Sequence, residues 1–290
     1  MSDRFLEYGF PLFKDTNVIP KDNTTLFVCS GMQQIKDRFS SLDGGHYGSL
    51  QSCIRMNDLE LVGDGSHLTH FEMLGNFSFG CNDYAKSVEM WHRIHIDLSL
   101  PITEVHVHPN KTNHRHLWEN LKYKVIDDSE CVWSDGNIGG YCCEVYVGDL
   151  EIGNLVNTLE HSTDVGYGWE RLHMVVENKK RVDHTSLFDQ NCHPIVSDHT
   201  RTISLLKRNG VKPGIKGREY ICRRLLRHML PFINGSEKND FQDWLDDERS
   251  RRDKQLLQAK RCYRRHRHQP SSWWWDTFGI FPEELTFMSK

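Results

Sequence analysis

The sequence predicts an α+β fold, in which a largely antiparallel sheet flanked by helices is followed by a smaller helical domain. Over the first two hundred residues, short apolar runs alternate with Gly, Asn and Asp, as in 24–32, 70–80 and 143–156. This alternation is typical of strands joined by turns. From residue 197 onward, apolar residues recur at helical spacing instead. We therefore expect a sheet-based domain at 1–196 and a helical domain at 197–290.

Two stretches inside the first domain carry apolar residues at helical spacing. They cover residues 83–98 and 116–124 and lie between the predicted strands. Helices mixed with a mostly antiparallel sheet favour an α+β arrangement over a doubly wound parallel one.

The predicted helices of the second domain have recognisable ends and faces. Residues 199–210 finish on a glycine, which is a helix stop signal. Residues 217–230 place Tyr220, Ile221 and Leu225 on one face and arginines on the other. After a polar stretch at 234–240, residues 241–258 again resemble a helix.

Composition narrows the class of protein. Of 290 residues, 38% are hydrophobic and 26% are charged, which is ordinary for a globular protein. Apolar runs are far too short for a membrane span, and the first residues lack the apolar core of a signal peptide. We expect a cytoplasmic protein without a membrane partner. The nine cysteines are irregularly spaced and the 17 histidines form no finger pattern, so we expect reduced thiols and no zinc.

Charge is unevenly distributed along the chain. The net charge is −4, yet residues 249–268 contain nine Lys or Arg against a single acid, Asp253. Such a segment could bind a polyanion or could be a solvated helix face.

A first candidate site lies in CIRMNDLELVGDGSHLTHFEMLGNFSFG, at 53–80. It offers Arg55 on a predicted strand, a polar loop, and a returning strand with Phe71 and Glu72. An arginine opposite an aromatic ring suits a mononucleotide, because the cation can bind a phosphate and the ring can stack on a base. A hairpin in which Phe71 is simply part of the core is the structural alternative.

A second candidate is STDVGYGWERL, at 162–172. Gly166 and Gly168 would let the backbone approach a ligand closely, and Glu170 and Arg171 would open a helix where a phosphate and a metal could bind. Ordinary tight turns also contain such glycines.

These strings, in this order, resemble the alanyl-tRNA synthetase family of class II. Residues 57–63 and 71–80 resemble its second class motif, and 164–172 its third, usually D-T-G-M-G-L-E-R. Upstream, 18–39 resembles the first motif. Further similarity runs through 132–146, 151–156, 198–228 and 275–286, so the resemblance covers nearly the whole chain.

The resemblance implies an ATP-dependent, AMP-forming enzyme that activates alanine with Mg²⁺ as cofactor. Its implied catalytic residues are Arg55 and Arg171. The implied ATP-binding residues are Arg55, Phe71, Glu144 and Arg171. The implied amino-acid pocket comprises Trp133, Asn154, Val156 and Asp164, with Asp164 as partner for the α-ammonium.

The resemblance also implies contact with tRNA(Ala) or its acceptor stem, for which Arg218, Arg223 and Arg224 are the candidate phosphate ligands. The chain departs from the family at several positions: Met56 stands where the family has a longer stretch with a lysine, and Ile215 stands in place of a base-reading asparagine. The family's editing domain is not expected here. Two alternatives stay open, transfer of alanine to a non-tRNA acceptor and a non-catalytic sensor of alanine or tRNA.

Overall fold

A computed structural model describes residues 2–22, 24–40, 44–57, 59–134, 136, 138–158, 161–233, 239–280 and 285. The chain forms two compact units, Met1–Asn209 and Gly210–Lys290. The division falls just after a helix that runs across the predicted boundary at 196/197.

The first unit interleaves nine strands with five helices in its described part. In chain order they are α1 (Ser2–Glu7), β1 (Leu12–Asp15), β2 (His46–Ile54), β3 (His70–Ser78), α2 (Tyr84–Asp97), β4 (Glu104–Val107), α3 (Thr112–Asn120), β5 (Val125–Asp127), β6 (Val132–Ser134), β7 (Gly139–Val147), β8 (Leu150–Thr158), β9 (Ser162–Gly168), α4 (Trp169–Val176) and α5 (Pro194–Arg208). Short 3₁₀ helices cover Gln33–Ser40, Leu59–Leu61 and Val182–His184.

All nine strands join one sheet, in the order β1-β2-β3-β9-β8-β7-β4-β5, with β6 paired to β7. Two neighbouring pairs are parallel, β1 with β2 and β4 with β5, and the others are antiparallel. The predicted α+β class with a largely antiparallel sheet is therefore confirmed.

Residues 24–32 were predicted to form a strand, and this part of the prediction is wrong. The segment is irregular: Val28 N–H donates to Val18 O in the loop after β1 at 2.9 Å, and Ile54 N–H at the end of β2 donates to Val28 O at 2.8 Å. Phe27 and Val28 are nonetheless buried. An apolar run predicts that its side chains are buried. It does not distinguish a strand from a buried irregular segment.

One face of the sheet packs against α1, α2 and α3 to form the main core. The indole of Trp91 stacks on Tyr167 with ring centroids 3.6 Å apart, and its Nε1–H donates to Asn76 Oδ1 at 2.8 Å. His95 is hydrogen-bonded to the hydroxyls of Tyr123 and Tyr167, each at 3.0 Å. These bonds satisfy polar groups inside the core and fix the helices on this face, which leaves the opposite face for a ligand.

The predicted helices of this unit are close to the observed ones. Helix α2 matches the prediction at 83–98, whereas α3 begins four residues earlier than predicted and ends at Asn120. Lys122 has a positive φ of 69°, a conformation that a helix cannot continue through.

The second unit is helical, as predicted, with α6 (Gly217–Met229), a 3₁₀ turn (Leu230–Phe232), α7 (Gln242–His266) and α8 (Ser271–Phe278). The carboxylate of Glu248 on α7 is buried and accepts two bonds from Arg227 on α6, at 3.0 and 3.1 Å. Most of the polar stretch predicted at 234–240 lies outside the described residues. Across the described part of the chain, no helix is both long and apolar enough to cross a membrane.

Candidate functional site

A cleft of about 450 Å³ lies over the sheet face opposite the main core. Six of the side chains predicted to bind ATP or the amino acid line it: Arg55, Phe71, Trp133, Glu144, Asn154 and Arg171. Its size falls within the range of small-molecule sites, which is about 300–1,000 Å³.

The register of the sheet explains why distant residues meet in this cleft. Glu144 on β7 is paired with Asn154 on β8, which is paired with Gly166 on β9. Their neighbours Val145, Leu155 and Val165 are fully buried in the core on the other face. Because successive side chains alternate between the two faces of a strand, one row of residues faces the cleft and the next faces the helices.

Arg55 and Phe71 form a cation–π contact at one wall of the cleft. The guanidinium carbon of Arg55 lies 4.9 Å from the centre of the Phe71 ring. Arg55 Nε donates to the backbone oxygen of Cys29 at 3.0 Å, which anchors the guanidinium to the irregular segment at 24–32. The arginine follows the end of β2 rather than lying within it, and Phe71 is in β3, opposite Cys53.

Arg171, near the start of α4, is held by Glu151 of β8. Its Nη1 donates to the Glu151 backbone oxygen at 2.7 Å and to a carboxylate oxygen at 3.0 Å. The Arg171 side chain is 45% exposed, so the guanidinium remains accessible from the cleft.

Glu144 places a carboxylate on the floor of the cleft. One of its oxygens accepts a hydrogen bond from the Tyr146 hydroxyl at 2.7 Å. Burial and the adjacent Glu144 carboxylate raise the pKa of Tyr146, so this phenol stays a donor at neutral pH. Carboxylate oxygens are the protein ligands that Mg²⁺ prefers, usually together with substrate phosphates, and Glu144 fits that requirement.

Two predicted pocket residues do not line the cleft. Val156 is buried with Cys131 and Cys142, and half-buried Trp133 packs against the same cluster. Asp164 is the cross-strand neighbour of Val156, as Gly166 is of Asn154. Val156 and Asp164 each lie two positions along their strands from the Asn154–Gly166 pair, so they are on the same face of the sheet as the cleft but beyond the residues that line it.

Glu170 was predicted to lie near a phosphate or a metal at the start of a helix, but its observed partners are groups of the protein itself, which no sequence signal indicated. This carboxylate is buried and accepts from the backbone N–H of Glu72 at 2.9 Å and from Arg201 Nη2 at 2.6 Å. Burial raises the pKa of Glu170 even though the Arg201 charge opposes that shift. Arg201 lies on α5, 31 residues further along the chain, and no spacing rule links the two.

The candidate tRNA ligands lie on α6 of the second unit. Arg223 Nε is 3.3 Å from the carboxylate of Glu248, and its side chain is 16% exposed. Arg218 and Arg224 are half-buried, whereas Ile215, just before the helix, is 75% exposed. Arg223 is therefore engaged inside the unit.

Residues 3–193 match the protein family described as tRNA synthetases class II (A). The match covers most of the sheet-based unit, including every residue that lines the cleft.

Curated relatives point the same way. The chain is 31% identical to an alanine–tRNA ligase of Desulfitobacterium hafniense over 309 aligned positions, which cover 80% of this chain and 35% of the relative. It is 30% identical to the alanine–tRNA ligase of Neorickettsia sennetsu, with 79% and 35% coverage. The chain thus spans about a third of the length of these relatives.

Solved structures with some similarity are also aminoacyl-tRNA synthetases. The histidyl-tRNA synthetase of S. aureus is 13% identical, with a TM-score of 0.42 and coverage of 77% of this chain and 80% of that one. A pyrrolysyl-tRNA synthetase of Desulfitobacterium hafniense is 15% identical, with a TM-score of 0.33 and coverage of 63% and 68%.

Proposed function

The chain belongs to the class II (A) tRNA synthetases, a ligase family, and from that premise we propose that it activates alanine with ATP to alanyl-adenylate and transfers the alanyl group to tRNA(Ala). The proposal rests on Arg55 and Phe71, whose guanidinium carbon and ring centre lie 4.9 Å apart at the wall of the cleft. The same cleft is lined by Glu144, Asn154 and Arg171.

The cleft offers the features that a nucleotide requires. Phe71 provides a flat apolar surface for adenine, and Arg55 lies against the same ring with its charge available to the α-phosphate. We propose that Arg171 contacts the adenine or the γ-phosphate once it has separated from Glu151.

The proposed reaction needs no protein nucleophile. A carboxylate oxygen of alanine attacks the α-phosphorus, a new O–P bond forms, and the bond to pyrophosphate breaks so that pyrophosphate leaves. Arg55 stabilises the negative charge that builds on the α-phosphate oxygens in the transition state. Positioning supplies much of the remaining acceleration.

We propose that Glu144 holds Mg²⁺ together with the phosphates of ATP. The cation would neutralise charge on the triphosphate and orient the leaving pyrophosphate. The carboxylate has one oxygen bonded to Tyr146, and that bond fixes its orientation toward the cleft.

The amino-acid pocket is proposed around Asn154 and Trp133, which line the cleft, with Val156 and Asp164 further along the same face of the sheet. Asp164 would pair with the α-ammonium of alanine. Val156, packed against Cys142, and half-buried Trp133 would limit the space for the side chain to about a methyl group.

We propose that residues 1–196 form the catalytic domain and 197–290 a domain for tRNA recognition. On α7, exposed Lys260, Arg261, Arg264 and Arg265 present positive charge that suits a phosphate backbone. Arg218 and Arg224 remain proposed phosphate ligands.

A second candidate is transfer of alanine to an acceptor other than tRNA. The observation that favours it is Ile215, which is 75% exposed at the position where the family has a base-reading asparagine. An exposed isoleucine offers no donor or acceptor to a base edge.

Pyrophosphate exchange into ATP, measured with each amino acid in turn, tests the activation step. We expect exchange that depends on alanine and is weak with glycine or serine. If none of the amino acids supports exchange, the proposed activity is overturned. If an amino acid other than alanine supports it best, the pocket assignment is overturned.

A second measurement addresses the acceptor. Purified tRNA(Ala) and radiolabelled alanine are added to the active protein, and charged tRNA is counted. Charging supports tRNA(Ala) as the acceptor. Strong alanine-dependent exchange without charging would instead favour the second candidate.

A further inference from the structure

A second group of ligand-type side chains lies at the far end of β2. His46 begins the strand, and Cys81 and Asp83 follow β3 in the turn before α2. Their Nε2, Sγ and carboxylate oxygen all lie within 4.8 Å of one another. The sulfur of Cys81 is 3.6 Å from Asp83 Oδ2 and 3.9 Å from His46 Nε2, and His46 Nε2 is hydrogen-bonded to the same carboxylate oxygen.

The backbone around these residues is firmly tied together. Phe79 N–H donates to Gly45 O at 3.0 Å, and Asp83 N–H donates to Cys81 O at 3.1 Å. Gly80 adopts a φ of +63°, which lets the chain turn sharply after β3. The three side chains are therefore presented by a fixed turn and a strand end rather than by a loose loop.

The spacing matches a metal site. A cation with a bond of about 2.3 Å to a thiolate and about 2.0 Å to an imidazole nitrogen or carboxylate oxygen, at tetrahedral angles, separates the ligand atoms by roughly 3.3–3.6 Å. The two sulfur distances lie within a few tenths of an ångström of this range, and only the His46–Asp83 pair must open to admit an ion.

We propose that His46, Cys81 and Asp83 bind a divalent cation of the zinc type, with a fourth position left for water or another ligand. Imidazole, thiolate and carboxylate are the three ligand types that Zn²⁺ takes in proteins. The side chains of His46 and Asp83 are 30% and 27% exposed, so an ion can enter from solvent and keep an open position.

This site is separate from the cleft. His46 opens β2 and Arg55 follows its end nine residues later, which at about 3.3 Å per residue puts roughly 30 Å between them. The proposal therefore does not depend on nucleotide binding. The positive charge of Lys86 on α2 acts on Asp83 and would weaken the binding of a cation there.

Titration of the metal-free full chain with Co²⁺ tests the proposal, because tetrahedral Co²⁺ bound to a thiolate gives visible ligand-field bands and a near-ultraviolet sulfur charge-transfer band. We expect both bands with one equivalent of Co²⁺ and their loss when Zn²⁺ is added. The variants Cys81→Ser and His46→Gln should each weaken Co²⁺ binding by more than about ten-fold.

Two other cysteines provide matched controls. Cys192 also contacts a carboxylate, Asp189 at 3.4 Å, but belongs to no group of three ligand residues in the described chain, so Cys192→Ser should leave the spectrum unchanged. Cys142 belongs to a second, more buried group with Cys131 and Glu144. Absence of a charge-transfer band, or a band that persists in Cys81→Ser and disappears in Cys142→Ser, would overturn the proposal.

Circular dichroism of each variant separates lost ligation from lost folding. The variant Asp83→Asn, which keeps the shape of the side chain, adds a third ligand test. Its Co²⁺ affinity should fall while its spectrum of secondary structure stays that of the wild type.

Discussion

Arg171 and Glu151 are joined by two hydrogen bonds, one to the backbone oxygen at 2.7 Å and one to the carboxylate at 3.0 Å. Both residues line the cleft. The arginine proposed to contact ATP is thus paired with an acid of the protein itself, and a phosphate that binds there must compete with that acid.

Replacement of Glu151 by Gln should strengthen ATP binding. The variant removes the competing charge and keeps the backbone acceptor, so we expect the KM for ATP in pyrophosphate exchange to fall several-fold, corresponding to at most about 1 kcal/mol for a partly exposed pair. Glu119→Gln breaks a comparable pair with Arg115 on α3 and should leave the KM unchanged. A higher KM in Glu151→Gln would show that the pair positions Arg171 rather than competing with ATP.

Arg55 should matter more for the chemical step than Phe71. Loss of a charge that acts in the transition state typically lowers kcat by about 10²–10³, and we expect this for Arg55→Ala. Phe71→Ala removes ground-state stacking and should mainly raise the KM for ATP. Arg4→Ala, which breaks a surface pair with Asp97, is the control. Unchanged exchange in Arg55→Ala would refute the central site assignment.

Two buried histidines should respond oppositely to substitution. Burial lowers the pKa of both His70 and His95 to about 3, but His95 bonds two tyrosine hydroxyls, whereas neither nitrogen of His70 has a partner among the described residues. At pH 7 we expect His95→Leu to lose about 1–3 kcal/mol of unfolding free energy, and His70→Leu to match or exceed the wild type. Urea unfolding measures both.

The same histidines set a pH dependence. Their folded pKa values lie below the ordinary value of 6.5, so the unfolded chain binds more protons between about pH 6.5 and 3, and stability falls as the pH drops through this window. His70→Leu should flatten that decline relative to the wild type. An unchanged slope would contradict the burial of a neutral His70.

Gly153 and Gly166, which lie on opposite faces of the sheet, should differ in how well they tolerate replacement by alanine. A methyl at Gly153 would lie 2.4 Å from the ring of Tyr167, which is held by Trp91, so Gly153→Ala should destabilise by about 1–3 kcal/mol. A methyl at Gly166 would lie 2.5 Å from the flexible end of Met73 and in ordinary contact with Asn154 Oδ1 at 3.8 Å. We expect Gly166→Ala to keep its stability within roughly 0.5 kcal/mol yet to impair exchange, because the methyl narrows the cleft.

The basic residues of α7 should bind RNA through phosphates. For the double variant Arg264→Gln/Arg265→Gln we expect weaker tRNA binding on filters, with a slope of log K against log salt that is shallower by about 1–2. Arg223→Gln should instead lower the melting temperature, because it removes an ion-pair partner of buried Glu248. Equal salt slopes in wild type and double variant would exclude these two arginines from the interface.

Much of the fold and the cleft could be predicted from the sequence because the relevant signals are local. The resemblance named Glu144 and Asn154 as site residues, and because side chains alternate along β7 and β8, both lie on the face opposite Val145 and Leu155. The motif strings likewise placed Arg55 and Phe71 near each other. The exception, at 24–32, arose because an apolar run does not distinguish a paired strand from a buried irregular segment.

By itself, the sequence determined the α+β class, which follows from periodicity, and six of the residues that line the cleft, which follow from motifs that resemble the synthetase family. Tertiary structure alone decided the Arg171–Glu151 pair, the Glu170–Arg201 pair and the meeting of His46 with Cys81. Each joins residues from separate elements, 20, 31 and 35 positions apart. Which elements become neighbours depends on the packing of the whole sheet and its helices, and no local pattern contains that information.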